Sequence, residues 1–254
     1  MAFYFNNNIL QRIIFNNQEV KKVVYNNTIV WKKLPNDYKE VEYIESNGTQ
    51  YIDTEIYGTE KTRIDIEYEY NSNATSSIIF GNRIAPKQDE FLLGTSTNSL
   101  PGYLFLGYAN SGISNNSIDY KDYNIPINKG TKYKILINSG LYPSLLLKPN
   151  TGLKLREIYK TVNVNGTNYS VPATNESFTT FKTLDVFGGY TSQNNFSLTS
   201  AKIYSLKIYD KNTLQRDFIP CYRKSDGEIG LYDLVSQEFY TNQGTGTFIK
   251  GADI

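Results

Sequence analysis

Asp65, Glu67 and Glu69 stand at every second position, and they are the first residues in this chain whose type and spacing suit a reaction. Paired acids are the machinery of glycoside hydrolysis, which sets two carboxyl groups roughly 5 to 9.5 Å apart. On an extended strand, alternate residues share a face and lie about 6.6 Å apart along the backbone. Glu40, Glu42 and Glu45 form a second acidic group of the same kind. The same spacing also marks the solvated face of a half-buried strand. Glycosidases that use such alternating acids set them in an aromatic-rich cleft, with a hydrogen-bonded acid between. The acids therefore read as a strand's outer face, with a glycosidase kept as a rival.

Aromatic side chains offer a second chemistry, because the flat apolar face of a sugar stacks on an exposed ring. Tyr103, Tyr108 and Tyr190 sit near Gly and Asn in stretches that read as loops, and Asn194 and Asn195 can add amide hydrogen bonds. These five are the candidate binding residues. The chain holds 22 Tyr, so most of them must serve as core or edge residues with one wet end. Trp31 is the sole Trp and closes the opening segment; it reads as a plug in that segment's core or as a contact that anchors the chain to a partner.

What is missing narrows the chemistry further. The chain has no His, which removes Ser-His and Cys-His catalysis and His-liganded zinc. Its one cysteine, Cys221, has no partner for an internal disulfide and reads as a small core residue. No acidic loop is dense enough to assert a calcium site, so neither metal nor cofactor is expected. Gly188-Gly189 and Gly244-Thr245-Gly246 precede no helix and read as turns or bulges, not as phosphate cradles. The formal net charge is +1 and basic residues come only in pairs such as Lys21-Lys22, Lys32-Lys33 and Arg223-Lys224, so nucleic acid is not an expected partner. No apolar run is long enough for a membrane helix, and Met1 to Phe15 lacks the basic start and apolar stretch of a signal peptide.

The elements that must position these residues are strands. Tyr and Phe together make up most of the 14% aromatic content, Ile, Val and Thr are plentiful, and Asn, Ser and Gly fill the gaps. The first thirty residues carry a repeat: Phe5-Asn6-Asn7, Phe15-Asn16-Asn17 and Tyr25-Asn26-Asn27 recur every ten residues, each flanked by apolar pairs. This reads as strand, Asn-Asn turn, strand, three times over, in a small β-meander too short to bury its own face. Leu34-Pro35-Asn36-Asp37 marks a boundary. The division is therefore an N-terminal β-repeat module at 1–34 and a β-sandwich at 35–254. Short strands follow, among them Thr62 to Tyr70, where Ile64, Ile66 and Tyr68 alternate with the acids. Phe178 to Lys182, Leu184 to Phe187 and Ala201 to Tyr209 continue the series. In the last, Tyr204, Leu206 and Ile208 are expected on one face and Ser205 and Lys207 on the other. Asn110 to Asp122 reads as a surface loop, and Asn212 to Asp217 as one helical turn.

Two blocks carry a resemblance. One is Tyr43-Ile44-Glu45-Ser46-Asn47-Gly48-Thr49-Gln50-Tyr51-Ile52-Asp53-Thr54. The other runs through Lys202 to Asp210, Arg216-Asp217-Phe218-Ile219-Pro220-Cys221-Tyr222-Arg223, Asp226-Gly227-Glu228-Ile229-Gly230-Leu231-Tyr232-Asp233 and Phe239 to Phe248. Together they resemble the concanavalin A-like (laminin-G-like) jelly-roll domains found in virion structural proteins of phages and prophages. The blocks bracket residues 38 to 250, while 70 to 180 match only in strand pattern. The opening repeat is similar to short modules that begin many phage tail or fibre proteins.

The resemblance implies an all-β chain, a small N-terminal β-meander followed by a concanavalin-like β-sandwich (jelly roll). It implies a non-enzymatic fibre, baseplate or capsid-decorating component of the virion, made in the host cytoplasm. The N-terminal module would bind other virion proteins, and the sandwich would meet a host-surface glycan. A homo-oligomer is implied, with a trimer favoured. The family shares no catalytic residues and no fixed sugar site, so no residue role transfers. The rivals are a free carbohydrate-binding module, a glycosidase on the same fold, and a structural spacer that binds nothing.

Overall fold

A computed structural model describes residues 4–5, 8–9, 14–15, 18–20, 22–25, 28–32, 34–72, 76–85, 89–96, 102–109, 125–147, 154–173 and 178–254. Every regular element among them is a β-strand, and none is a helix able to cross a membrane.

The opening repeat folds as hairpins. Strands β1 (Tyr4–Phe5) and β2 (Asn8–Ile9), β3 (Ile14–Phe15) and β4 (Gln18–Glu19), and β5 (Lys22–Tyr25) and β6 (Thr28–Lys32) pair two by two. Phe5, Phe15 and Tyr25 pair with Asn8, Gln18 and Thr28, so the ten-residue period is the period of a hairpin. Each hairpin forms its own two-stranded sheet, and no ladder joins one to the next among the described residues. Each ten-residue repeat thus contributes one hairpin, strand paired with strand, as its pattern predicts.

From Tyr38 on, the described residues form two large antiparallel sheets and one separate hairpin. The strands are β7 (Tyr38–Glu40), β8 (Ile44–Asn47), β9 (Ile52–Thr59), β10 (Thr62–Tyr70), β11 (Ser76–Asn82), β12 (Glu90–Ser96), β13 (Gly102–Ala109) and β14 (Pro126–Ile127). They continue with β15 (Lys132–Leu147), β16 (Lys154–Val164), β17 (Thr167–Ala173), β18 (Thr179–Val186), β19 (Gly188–Ser192) and β20 (Asn195–Leu198). The last are β21 (Ser200–Asp210), β22 (Thr213–Arg223), β23 (Ile229–Asp233), β24 (Glu238–Tyr240) and β25 (Ile249–Lys250). The larger sheet has eleven strands, in the order β17-β16-β15-β10-β21-β22-β23-β24, with β7 on β22, β8 on β21 and β25 on β8. The smaller has six, in the order β14-β13-β12-β11-β18-β9, and β19 and β20 form a separate hairpin.

Alternation decides which faces meet. On β10, Ile64, Ile66, Tyr68 and Tyr70 are buried while Arg63, Asp65, Glu67 and Glu69 stay partly exposed. They pack against Phe80, Phe91, Leu93, Leu104, Leu106 and Val186 of the smaller sheet in one continuous core. Burying each such side chain contributes about 1.5–3 kcal/mol, enough for two sheets to hold without disulfides. Cys221 is buried and unbonded, in a satellite cluster with Tyr232 and Leu234, against which Leu34, Tyr38, Ile219 and Phe239 pack. Burial pushes its thiol up to about 12, so it is an inert core residue at neutral pH.

Three strand expectations change. Tyr204 does not share a face with Leu206 and Ile208: Glu67 pairs with Ser205 and Tyr68 with Ile203, so Tyr204 is the extra residue of a β-bulge. The bulge turns its ring outward, where its hydroxyl donates to Glu69 at 3.0 Å. The one helical turn expected at Asn212 to Asp217 is the start of β22, because Thr213, Leu214 and Arg216 pair back onto β21 across a two-residue turn. The two segments split at Lys182 and Leu184 are a single strand, β18, made irregular by its pairing with β9. Asn110 to Asp122 lies outside the described residues.

Candidate functional site

Of the alternating acids on β10, Glu67 and Glu69 are already paired. Glu67 pairs with Lys132 at 2.9 Å across the β10–β15 ladder. Glu69 accepts from Lys202 at 3.0 Å and from Tyr204. Burial alone would raise the Glu69 pKa, but those hydrogen bonds hold it below the ordinary carboxylate value. A general acid needs the opposite shift. Glu40 and Glu45 lie on different strands, β7 and β8, so the second acidic group is not one cluster.

The candidate aromatic residues separate. Tyr103 stands opposite Ser96 and Pro126, and Ser96 in turn opposite Ser76, so it lies at the start of β11. Tyr190 lies at the other end of that strand, where its backbone N–H donates to Asn82 Oδ1. Six residues of strand, about 20 Å, separate the two places. Tyr108 is at the Tyr190 end by backbone register, opposite Phe91, which is opposite Asn82; its side chain lies outside the described residues. Trp31 is opposite Val23 in the third hairpin, and its side chain too lies outside them.

Around Tyr190 a site assembles that the sequence showed only in part. The Tyr190 ring meets Phe181 at 5.3 Å and Phe196 at 5.0 Å, and Phe196 meets Tyr51 at 4.7 Å. All four rings are partly exposed. They come from β18, the β19–β20 hairpin and the residue before β9, so spacing in sequence could not join them. Asn194 and Asn195 sit exposed at the tip of the same hairpin, and the Asn195 carbonyl accepts from Thr191 Oγ1 at 3.2 Å. The hairpin is pressed close to the sheet: a Cβ on Gly189 would lie 2.1 Å from the Gly81 carbonyl oxygen, which only a glycine permits.

Behind the rings lies a polar pair. Asp185 and Asp53 face each other across the β18–β9 ladder. Asp185 is 4% exposed, and its Oδ2 accepts from Asn82 Nδ2 at 2.9 Å. Burial raises its pKa to about 7; the Asn82 hydrogen bond opposes the rise and Asp53 adds to it. Asp53 Oδ1 accepts from the Glu55 backbone N–H at 2.8 Å. The Tyr51 hydroxyl is pushed up by burial, then by Asp185, Tyr190 and Asp53. Asn82 thus ties a buried carboxyl to the backbone of the aromatic hairpin. Tyr51 and Asp53 fall inside the motif block that carried the resemblance, and their alternation with Ile52 was the one available sequence signal.

Further along β9 and β18 a cleft of about 620 Å³ opens where the two sheets part. Tyr57, Tyr209 and Phe178 line it with Glu60, Asp89 and Asp210. None of these was singled out from sequence, because they come from separate strand ends and turns. Among the described residues, no group of three or more His, Cys, Asp or Glu is placed to hold a metal ion.

No family model matches the chain, and no curated protein matches it. Among solved structures it is similar to a native heptameric SAP-like pentraxin from Limulus polyphemus, at 12% identity and a TM-score of 0.47, over 84% of this chain and 94% of that one. By its own ladders and core this is an all-β protein of the antiparallel β-sandwich class.

Proposed function

We propose that this is a virion structural protein whose β-sandwich is displayed to adhere to a surface glycan, while the N-terminal hairpins join it to the particle. The observation that carries the adhesive part is the partly exposed ring cluster of Tyr51, Phe181, Tyr190 and Phe196, flanked by the Asn194-Asn195 tip. Rings held edge to face present a rigid surface whose ordering cost is met before a sugar arrives. The virion part rests on the resemblance of the two motif blocks. Those blocks come together in space, since β8 pairs with β21 and the Gln50 amide donates to the Thr247 carbonyl.

A glycosidase remains as a second reading for one reason: Asp185, raised to about 7 opposite a second carboxyl, has the profile of a general acid. One set of assays decides between them. The full chain is screened on a glycan array and on host cells, and each bound glycan is then followed for hydrolysis. Saturable binding without turnover, reduced at least tenfold in Tyr190→Ala, is the expected result. Turnover lost in Asp185→Asn would establish the enzyme instead, and binding unchanged in Tyr190→Ala would remove the ring cluster from the site.

A further inference from the structure

The ring cluster leaves the cleft unexplained. Its size lies within the roughly 300–1,000 Å³ typical of small-ligand sites. Its walls are aromatic at three points. Tyr57 is 52% exposed, one of the few large apolar side chains left open to solvent in the described sandwich. Tyr209 has the Arg63 guanidinium over its ring at 4.8 Å, which fixes the ring's plane. Phe178 is buried behind them.

Among the described residues, the lining carries more acid than base. Glu60 and Lys61 offset each other, with Nζ and Oε1 3.4 Å apart, and the second Glu60 oxygen accepts from the Phe178 N–H at 3.3 Å. Asp89 and Asp210 add two carboxylates, so that even with the Arg63 guanidinium on the Tyr209 ring the acids outnumber the bases at the cleft among the described residues. Lys211 follows Asp210 in the β21–β22 turn, where its backbone N–H donates to the Lys61 carbonyl. Open rings beside excess negative charge suit a ligand with a flat, weakly polar body and a protonated amine.

We infer that this cleft is a second binding site, separate from the ring cluster at Tyr190, and that it takes an amino sugar bearing a free ammonium group. The sugar's apolar face lies against Tyr57 and Tyr209, and the ammonium sits between Asp89 and Asp210. A lysine side chain shares the ammonium but lacks a ring face to cover both tyrosines.

The test uses the full chain and calorimetric titration with three probes: a glucosamine trisaccharide with free amines, its fully N-acetylated counterpart, and a short lysine-bearing peptide. The variants are Asp89→Asn with Asp210→Asn, and Tyr57→Ala. Asp89 has a positive φ of 43°, which Asn accepts readily, and Asp210 is exposed, so the acid-to-amide pair should fold. The expected result is binding of the free-amine trisaccharide, at least tenfold weaker binding of the N-acetylated one, and at least a tenfold loss in the double variant. Tyr57→Ala is expected to lose at least threefold, while Tyr190→Ala leaves this binding intact and so separates the cleft from the ring cluster. Equal binding of the two trisaccharides, no binding of either, no loss in the double variant, or loss in Tyr190→Ala would each overturn the assignment. Tighter binding of the lysine peptide would also overturn it, in favour of a protein partner.

Discussion

Asp185 is the residue whose environment makes the clearest demand on the behaviour of the protein. A carboxyl that is 4% exposed loses its hydration when ionised, and the single amide donor from Asn82 does not restore it. Its folded pKa of about 7 stands above its ordinary 3.8, so the folded state favours the protonated form. The stability this contributes is fully present below about pH 3.8 and is lost as pH rises through about 7. The chain has no His to titrate in that window, which leaves it unusually clean. Glu40 is also raised by burial, so Glu40→Gln serves as the control. Melting curves from pH 5 to pH 8.5 are expected to show wild type losing several degrees, on the scale of about 2–4 °C per kcal/mol for a domain of this size. Asp185→Asn should flatten that slope, and a slope abolished only by Glu40→Gln would move the effect to the other carboxyl. Nothing in the sequence marked Asp185, because its shift comes from a depth of burial and an opposite Asp53 that only the pairing of β18 with β9 creates.

At the scale of elements, the C-terminal motif block proves to be a set of turn-building devices. Asp233 is fully buried, and its carboxylate accepts from the backbone N–H groups of Asp217 at 2.7 Å, Val235 at 3.0 Å and Ser236 at 2.9 Å. It closes the β23–β24 turn and ties that turn to β22 at once. Gly230 is required because a Cβ there would lie 2.2 Å from the Tyr240 carbonyl oxygen of the neighbouring strand. Asp233→Ala orphans three donors and is expected to cost about 3 kcal/mol, or roughly 6–12 °C in melting temperature. An unchanged melt would mean that water replaces the carboxylate without penalty. These devices explain what was legible in sequence and what was not. The alternation of β10 was readable because one face is wet and the other dry along its whole length. The Tyr204 bulge was not, since Tyr204 is in phase with Leu206 and Ile208 and reads as a member of their face, although Ile203 is the buried residue. The helical turn assigned to Asn212 to Asp217 failed because polar residues on an outward strand face look the same as those of a turn. Of the candidate site, Tyr190 and the Asn194-Asn195 tip share one hairpin and could be read together, whereas Tyr51, Phe181 and the cleft are joined only by long-range pairing.

At the scale of the molecule, the question is whether the hairpin repeat belongs to the sandwich or merely precedes it. Two sheets share a continuous core that runs from Val41 to Phe248. Leu34, at the boundary, packs against the satellite cluster of Cys221, Tyr232 and Leu234. Two-stranded hairpins are at best marginally stable alone, so their stability must come from whatever they join. Charge divides the same way. Arg12, Lys21, Lys22, Lys32 and Lys33 against Glu19 make the first 33 residues basic, while the whole chain is only +1, so the sandwich is acidic. A basic, weakly self-supporting strand repeat attached to an acidic body would suit the proposed anchor, whose folding would be completed by its partner. Removing residues 1–33 while keeping Leu34 is therefore expected to leave a folded sandwich, with a melting temperature within a few degrees of the full chain, that no longer enters its assembly. Light scattering on both forms, read beside the melts, checks this. A higher-order full chain and a monomeric sandwich would locate self-association in the hairpins, as the anchor reading requires. A truncated chain that melts far lower or fails to fold would show that the hairpins complete the sandwich, and the two-part division of the chain would fall.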